Sequence, residues 1–130
     1  MPSLFSKIVN REIPAYIIQE DDHHLAFLDI NPLAYGHTLV VPKEEIDYIF
    51  DLPTDKLQAL MAFSKDVAKR LKAEIACKKI GMTVIGLEVA HAHIHLVPIN
   101  TIEDMNFSRS KLILSDDSAN ELVKKLKKNN

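Results

Sequence analysis

A chain of 130 residues, 47% of them hydrophobic, has the size of one globular domain and enough apolar side chains to bury a core. Sixteen Lys and Arg against eighteen Asp and Glu leave a formal charge of −2, which excludes a whole-molecule field for nucleic acid or an anionic membrane. The single cysteine, Cys77, excludes an internal disulfide, a CxxC pair and a thiolate zinc cage, and no apolar stretch makes a signal peptide or a bilayer span; a cytoplasmic protein with no membrane or nucleic-acid partner is expected.

Ser3 ahead of Leu4, Phe5 and Ile8 predicts a short capped helix with its apolar residues on one face. Ala15 to Glu20 and His24 to Asp29 read as two strands around the polar turn Glu20-Asp21-Asp22-His23, hence a hairpin. After the loop marked by Asn31-Pro32 and Gly36, His37 to Pro42 supplies β-branched residues and a terminating proline, a third strand. Pro53-Thr54 opens a long helix, with Thr54 as its cap and Leu57, Leu60, Met61, Val67, Ala68, Leu71 and Ile75 at helical spacing. Met82 to Ile85 and Val89 to Val97 read as two more strands, interrupted at Gly86. Ser115 with Asp116 and Asp117 caps a last helix, about 115–128, whose stripe is Ala119, Leu122, Val123 and Leu126. The lysines of KKLKK, Lys124 to Lys128, complement the negative end of its dipole. Hairpins with one long helical excursion predict an α+β domain whose mostly antiparallel, five-stranded sheet is covered by helices.

The stretch AHAHIHLVP, Ala90 to Pro98, carries three of the six histidines at alternate positions. On a strand His91, His93 and His95 share one face, and Ala92, Ile94 and Leu96 the other. Three uses stay open on that geometry. Structural polar residues would need three partners and give little apolar burial. A metal could take two of the imidazoles, but residues i and i+4 lie roughly 13 Å apart along a strand, so a further ligand such as His37 would be required. Catalysis at phosphorus uses one neutral imidazole as nucleophile while its neighbours donate to phosphate oxygens.

HAHIHLV, His91 to Val97, resembles the signature of the histidine triad (HIT) family. LFSKIVNREIPA, Leu4 to Ala15, and AFLDINPLAYGHTLVVPK, Ala26 to Lys43, are similar to two further blocks of its nucleotide-binding branch, in the same order and at the same spacing. The resemblance implies a single HIT domain over residues 1–130, with its core at about 4–99, and a homodimer whose two sheets join. It implies hydrolysis at the α-phosphate of a purine nucleotide through a covalent nucleotidyl-histidine, with His93 as nucleophile, His91 and His95 flanking it and His37 supporting it. Asp29 matches the carboxylate that holds the ribose hydroxyls. Phe5, Ile8, Phe27, Ile30 and Leu39 match the nucleobase slot, with Leu4 beside them; ordinary core is the competing reading of each. No cofactor and no metal enters this reading.

Departures from the family pattern fall near the phosphate. In MTVIGLEVAHAHIH, Met82 to His95, the usual asparagine is missing and Leu87 stands where relatives have glutamine. Glu88 is a candidate for the phosphate side of the site, against the alternative of a solvated loop carboxylate. Some bacterial relatives hold a structural zinc at the places of Ser3, Ser6 and Glu45, so that zinc is expected to be absent. The tail after Ile99, including Asp104 to Leu112, does not resemble that of the best-known members. A nucleoside phosphoramidase leads this reading; the alternatives are a dinucleoside polyphosphate hydrolase and a purine-nucleotide-binding module with little turnover.

Overall fold

The computed structural model describes residues 2–128. Helices α1 (Leu4–Val9), α2 (Thr54–Glu74) and α3 (Asp116–Lys128) accompany strands β1 (Ile17–Glu20), β2 (His24–Leu28), β3 (Thr38–Pro42), β4 (Lys79–Thr83) and β5 (Ile94–Ile99). The strands form one antiparallel sheet in the order β1-β2-β3-β5-β4, so the fold is the expected α+β class. Among the described residues no helix is long and apolar enough to cross a membrane.

The pairing register sorts side chains between the two faces of the sheet. Phe27 lies opposite Leu39 and Leu39 opposite His95, which places all three on one face; with Leu25 and Val41 they meet Phe5 and Ile8 of α1. The alternate residues Ala26, Leu28, Val40, Ile94 and Leu96 turn to the other face, where α2 and α3 cover them with Leu60, Val67, Leu71, Leu122 and Leu126. The larger core thus lies behind the sheet, and the histidines stand above the smaller one. A one-residue slip of β5 would exchange Ile94 and Leu96 for His95, so burial fixes the register that aims the imidazole.

Three expectations need correction. Pro53 occupies the N-cap position of α2, and no side chain caps that end. Its extended ψ makes it the half-in residue, so Thr54 already has helical backbone. Strand β4 covers Lys79–Thr83 rather than Met82 to Ile85, because its partners run from Ile99 to His95; Val84 and Ile85 lie past the last pair and are exposed. Strand β5 begins at Ile94, not Val89, since its pairing with β3 starts at Val40 and β4 reaches only to Thr83. His91 and His93 therefore sit in an irregular loop that feeds the strand. Short 3-10 turns at Ile49–Asp51 and Ile102–Met105 were not foreseen. Ser3 does cap α1, accepting the Ser6 N–H at 3.0 Å, although Leu4 turns outward while Phe5 and Ile8 are buried.

Candidate active site

Asp29 and His37 meet because the β2–β3 ladder continues one step beyond its last strand pair: the Asp29 N–H donates to the His37 carbonyl at 2.9 Å. The turn between them needs Gly36, whose φ is +93°; a Cβ there would also stand 2.2 Å from Ile75 Cδ1. Asp29 Oδ1 accepts the Asn31 N–H at 2.8 Å, and Oδ2 lies 3.6 Å from His37 Nε2. Burial raises the Asp29 carboxyl above its ordinary pKa.

Hydrogen-bond partners assign the tautomers in turn. The buried Leu33 N–H donates to His37 Nδ1 at 3.0 Å, so that nitrogen is an acceptor and the ring carries its proton on Nε2. Nε2–H then donates to His95 Nδ1 at 3.0 Å, which leaves the His95 proton on Nε2. Burial keeps both rings neutral, with His37 pushed down to about 3 and His95 to about 4. His93 is set separately. Its Nδ1–H donates to the His91 carbonyl at 2.8 Å, so the Nε2 lone pair has no proton on it in the neutral ring. The His93 ring stands 4.9 Å from His95 and 4.8 Å from Phe5, edge to face with both.

His91 is placed differently from its two partners in the motif. It is 0% exposed, and both nitrogens are engaged: Nε2–H donates to the Pro42 carbonyl at 2.8 Å, and Nδ1 lies 2.8 Å from Ser3 Oγ. Ser6 Oγ, 3.4 Å from the same nitrogen, donates to Glu45 at 2.7 Å, and the Ser3 N–H also donates to that carboxylate. The Ser3 N–H and then the Ser6 hydroxyl hold the Glu45 carboxyl at about 2. Burial lowers the His91 pKa.

The apolar residues matched to a base slot divide. Phe5, Ile8, Phe27 and Leu39 are buried in the smaller core beneath His93, with Phe5 and Phe27 5.6 Å apart in edge geometry. Leu4 and Ile30 are 49% and 64% exposed. Glu88 is exposed, yet its charge reaches Asp29. Leu87 is 88% exposed and has no side-chain amide to offer a phosphate.

The tail contributes residues that the sequence reading missed. Arg109 donates to the Leu33 carbonyl at 2.9 Å and also bonds Asp104 and the Glu103 carbonyl, strapping residues 102–112 against the loop that presents His37. The Leu112 N–H donates to the Pro32 carbonyl at 2.8 Å. Phe107 then lies edge-on to His95 at 4.8 Å and to His37 at 6.1 Å, while Lys111 stands 5.9 Å over the Phe107 ring and acts on Asp29 by charge. No periodicity or motif in NFSRSKL, Asn106 to Leu112, marks these positions.

Two groups gather residue types that can ligate a metal. Ser3, Ser6, Glu45 and His91 gather as zinc ligands would, but two neutral hydroxyls replace thiolates and both His91 nitrogens are committed to protein partners, so the donor set does not suit zinc. Ligand atoms of Asp29, His37 and His95 lie within 4.8 Å of one another. Coordination through His37 Nε2 would move its proton to Nδ1, against the Leu33 N–H, so this cluster does not suit a metal either.

An antiparallel α+β sheet carrying a buried histidine cluster at the mouth of its third and fifth strands defines a class of domain. The family model of the HIT domain matches residues 10–102. The chain belongs to the HIT domain family. An uncharacterised HIT-like protein of Methanocaldococcus jannaschii is 43% identical over 105 residues, covering 73% of this chain and 77% of that protein. The adenosine 5'-monophosphoramidase of Saccharomyces cerevisiae is 36% identical over 97 residues, 73% of this chain and 61% of the yeast protein. A Hit-like protein from Bartonella henselae superposes with a TM-score of 0.83 at 28% identity, covering 98% of this chain and 96% of that one. The family thus includes hydrolases, such as the yeast phosphoramidase.

Proposed function

We propose that this protein hydrolyses purine nucleoside phosphoramidates or related nucleotides at the α-phosphate by double displacement, with His93 as nucleophile. The observation that carries the reading is the bond from His93 Nδ1–H to the His91 carbonyl, which leaves Nε2 as the attacking lone pair. Attack forms the Nε2–P bond and breaks the bond from phosphorus to the leaving nitrogen. Because Nδ1 keeps its proton, the phosphorylated ring is cationic, and the His91 carbonyl faces that charge. The departing nitrogen takes a proton from solvent water as its bond to phosphorus breaks; hydroxide from that water then attacks phosphorus, neutral His93 departs, and the nucleoside monophosphate carries the hydroxyl. His95 Nε2–H is the donor to a non-bridging oxygen, held in that tautomer by His37. His91 acts through its backbone, and its enclosed ring orients rather than binds. Asp29 accepts from the ribose hydroxyls, and Phe5, Ile8, Phe27 and Leu39 form the floor under a base that Leu4 and Ile30 border.

Lys111, acting on Asp29 from above Phe107, gives a specific reason to weigh dinucleoside polyphosphates, whose leaving group is anionic. Turnover of adenosine phosphoramidate and of diadenosine polyphosphates, measured side by side, separates the two substrate classes. A higher kcat/KM for the phosphoramidate is expected, since Glu88 opposes added negative charge. AMP binding without turnover of either would instead mark a nucleotide-binding module.

We also propose a homodimer joined through β4. That strand is the sheet edge beyond β5, and Met82, Val84 and Ile85 are exposed on and after it, with Met61 exposed on α2. Sedimentation at micromolar concentration is expected to give a dimer, and Ile85→Lys to shift it to monomer; a monomeric parent protein contradicts this.

A further inference from the structure

We propose that Ser3 and Glu45 are positioning residues for the reaction: a network in which the Glu45 carboxylate accepts from the Ser3 N–H and the Ser6 hydroxyl, while Ser3 Oγ bonds the Ser6 N–H and His91 Nδ1, clamps the His91 ring and so holds the carbonyl that selects the His93 tautomer. The proposal rests on the reading of His93 as nucleophile. His91 lies in the irregular loop before β5, where no strand ladder holds its carbonyl. What holds it instead is local. The Ala92 N–H donates to the Ile46 carbonyl at 2.6 Å, and the His91 ring is pinned at Nε2 by Pro42 and at Nδ1 by Ser3.

Glu45 decides which hydroxyl serves the ring. Ser6 Oγ–H is committed to the carboxylate at 2.7 Å, so it cannot also donate to His91 Nδ1 at 3.4 Å. Ser3 Oγ accepts the Ser6 N–H and, although Glu45 also draws on its hydroxyl, has its near acceptor in Nδ1 at 2.8 Å. With Nε2–H turned to a carbonyl, Nδ1 of the neutral ring must accept, and Ser3 supplies that donor. Ser3 caps α1 and Ser6 lies within it, and the same helix carries Phe5 against His93 and Ile8 in the core below. One network therefore fixes the helix beneath the proposed base site and the tautomer of the attacking ring.

Ser3→Gly isolates the hydroxyl, because glycine is among the accepted N-cap residues. In this variant kcat for adenosine phosphoramidate is expected to fall roughly tenfold with KM within about twofold, as for a group misplaced by a fraction of an ångström. Imidazole 15N shifts of His93 should move from the Nδ1–H tautomer to a mixture, and Ser3→Thr should restore both readouts. Glu45→Gln should act in the same direction and keeps the test available if Ser3→Gly is poorly folded. A folded Ser3→Gly or Glu45→Gln protein whose His93 keeps the Nδ1–H tautomer overturns the proposal, whether or not activity falls. The tautomer readout needs no substrate, so a wild-type protein that turns over no nucleotide refutes the proposed function and leaves the clamp to be judged by the 15N shifts.

Discussion

Replacing His93 by alanine should lower kcat for adenosine phosphoramidate by at least about 10³-fold, the scale seen when a covalent nucleophile is removed. AMP should still bind within a few-fold of the wild-type affinity. The two halves of this expectation come from different parts of the site. In the proposed mechanism bond formation uses only His93 Nε2, the one nitrogen in the His37–His95 and His91–His93 chains that the neutral tautomers leave with neither a proton nor a donor. Binding is proposed to draw on Asp29 and on the apolar floor, whose Phe27 and Leu39 are fixed by strand register and do not depend on the His93 ring. The variant loses the edge contacts with Phe5 and His95, a local loss at the rim of the smaller core. An alanine variant within about tenfold of wild type would mean that water attacks phosphorus directly.

His37→Ala should be the most damaging change outside the attacking ring, and in two currencies. Activity should drop about 10- to 100-fold, because His95 Nδ1 loses the donor that keeps its proton on Nε2. Stability at pH 7 should fall as well: the buried Leu33 N–H is left without its acceptor, at about 1–3 kcal/mol, and the vacated ring volume adds to that. Acid makes the effect specific. His37 titrates at about 3 in the fold against about 6.5 when unfolded, so the unfolded chain takes up a proton first as pH falls. A group depressed in this way contributes its full share above about pH 6.5 and loses it progressively towards its folded value of about 3. By pH 5 the loss is about 2 kcal/mol for that one residue. Urea denaturation at pH 7 and pH 5 should therefore show the wild-type protein losing about 2 kcal/mol more than His37→Ala between the two. Parallel losses would show that His37 is not held neutral by burial.

The fold was largely legible because its signals are local and redundant. Short runs of strand-forming residues, Ala15 to Glu20, His24 to Asp29 and His37 to Pro42, bounded by the polar turn at Asp21-Asp22 and by Gly36, predict three strands, and the spacing of Leu57, Leu60, Val67 and Leu71 predicts α2. The ends were less so. The alternation through His91 and His93 reads as strand, yet β4 stops at Thr83 and offers those residues no partner. Pairing is a property of two segments, and one segment's pattern cannot state where the other ends.

The site shows the same division. HAHIH and the block around Asp29 and His37 drew attention to the residues that the fold brings together at Asp29, His37, His93 and His95. The tautomers of His37, His91 and His93 depend on the Leu33 amide and the Pro42 and His91 carbonyls, and a backbone group leaves no mark on residue identity. Phe107 and Lys111 reach the histidines because the tail is tied to the His37 loop by the Leu112 N–H and by Arg109, whose contact with the Leu33 carbonyl crosses 76 positions of chain. Ser3 was legible as a cap, and its second role at His91 Nδ1 was not, since the partner lies 88 positions away.

Trapping the intermediate tests the central claim most directly. Rapid acid-free quenching of wild-type protein during turnover of adenosine phosphoramidate, followed by digestion and mass spectrometry, should place an adenylyl group on the peptide that contains His93, formed and consumed at the rate of turnover. A protein that turns over the substrate with no adduct on His93, or with the adduct on another residue, would contradict the mechanism.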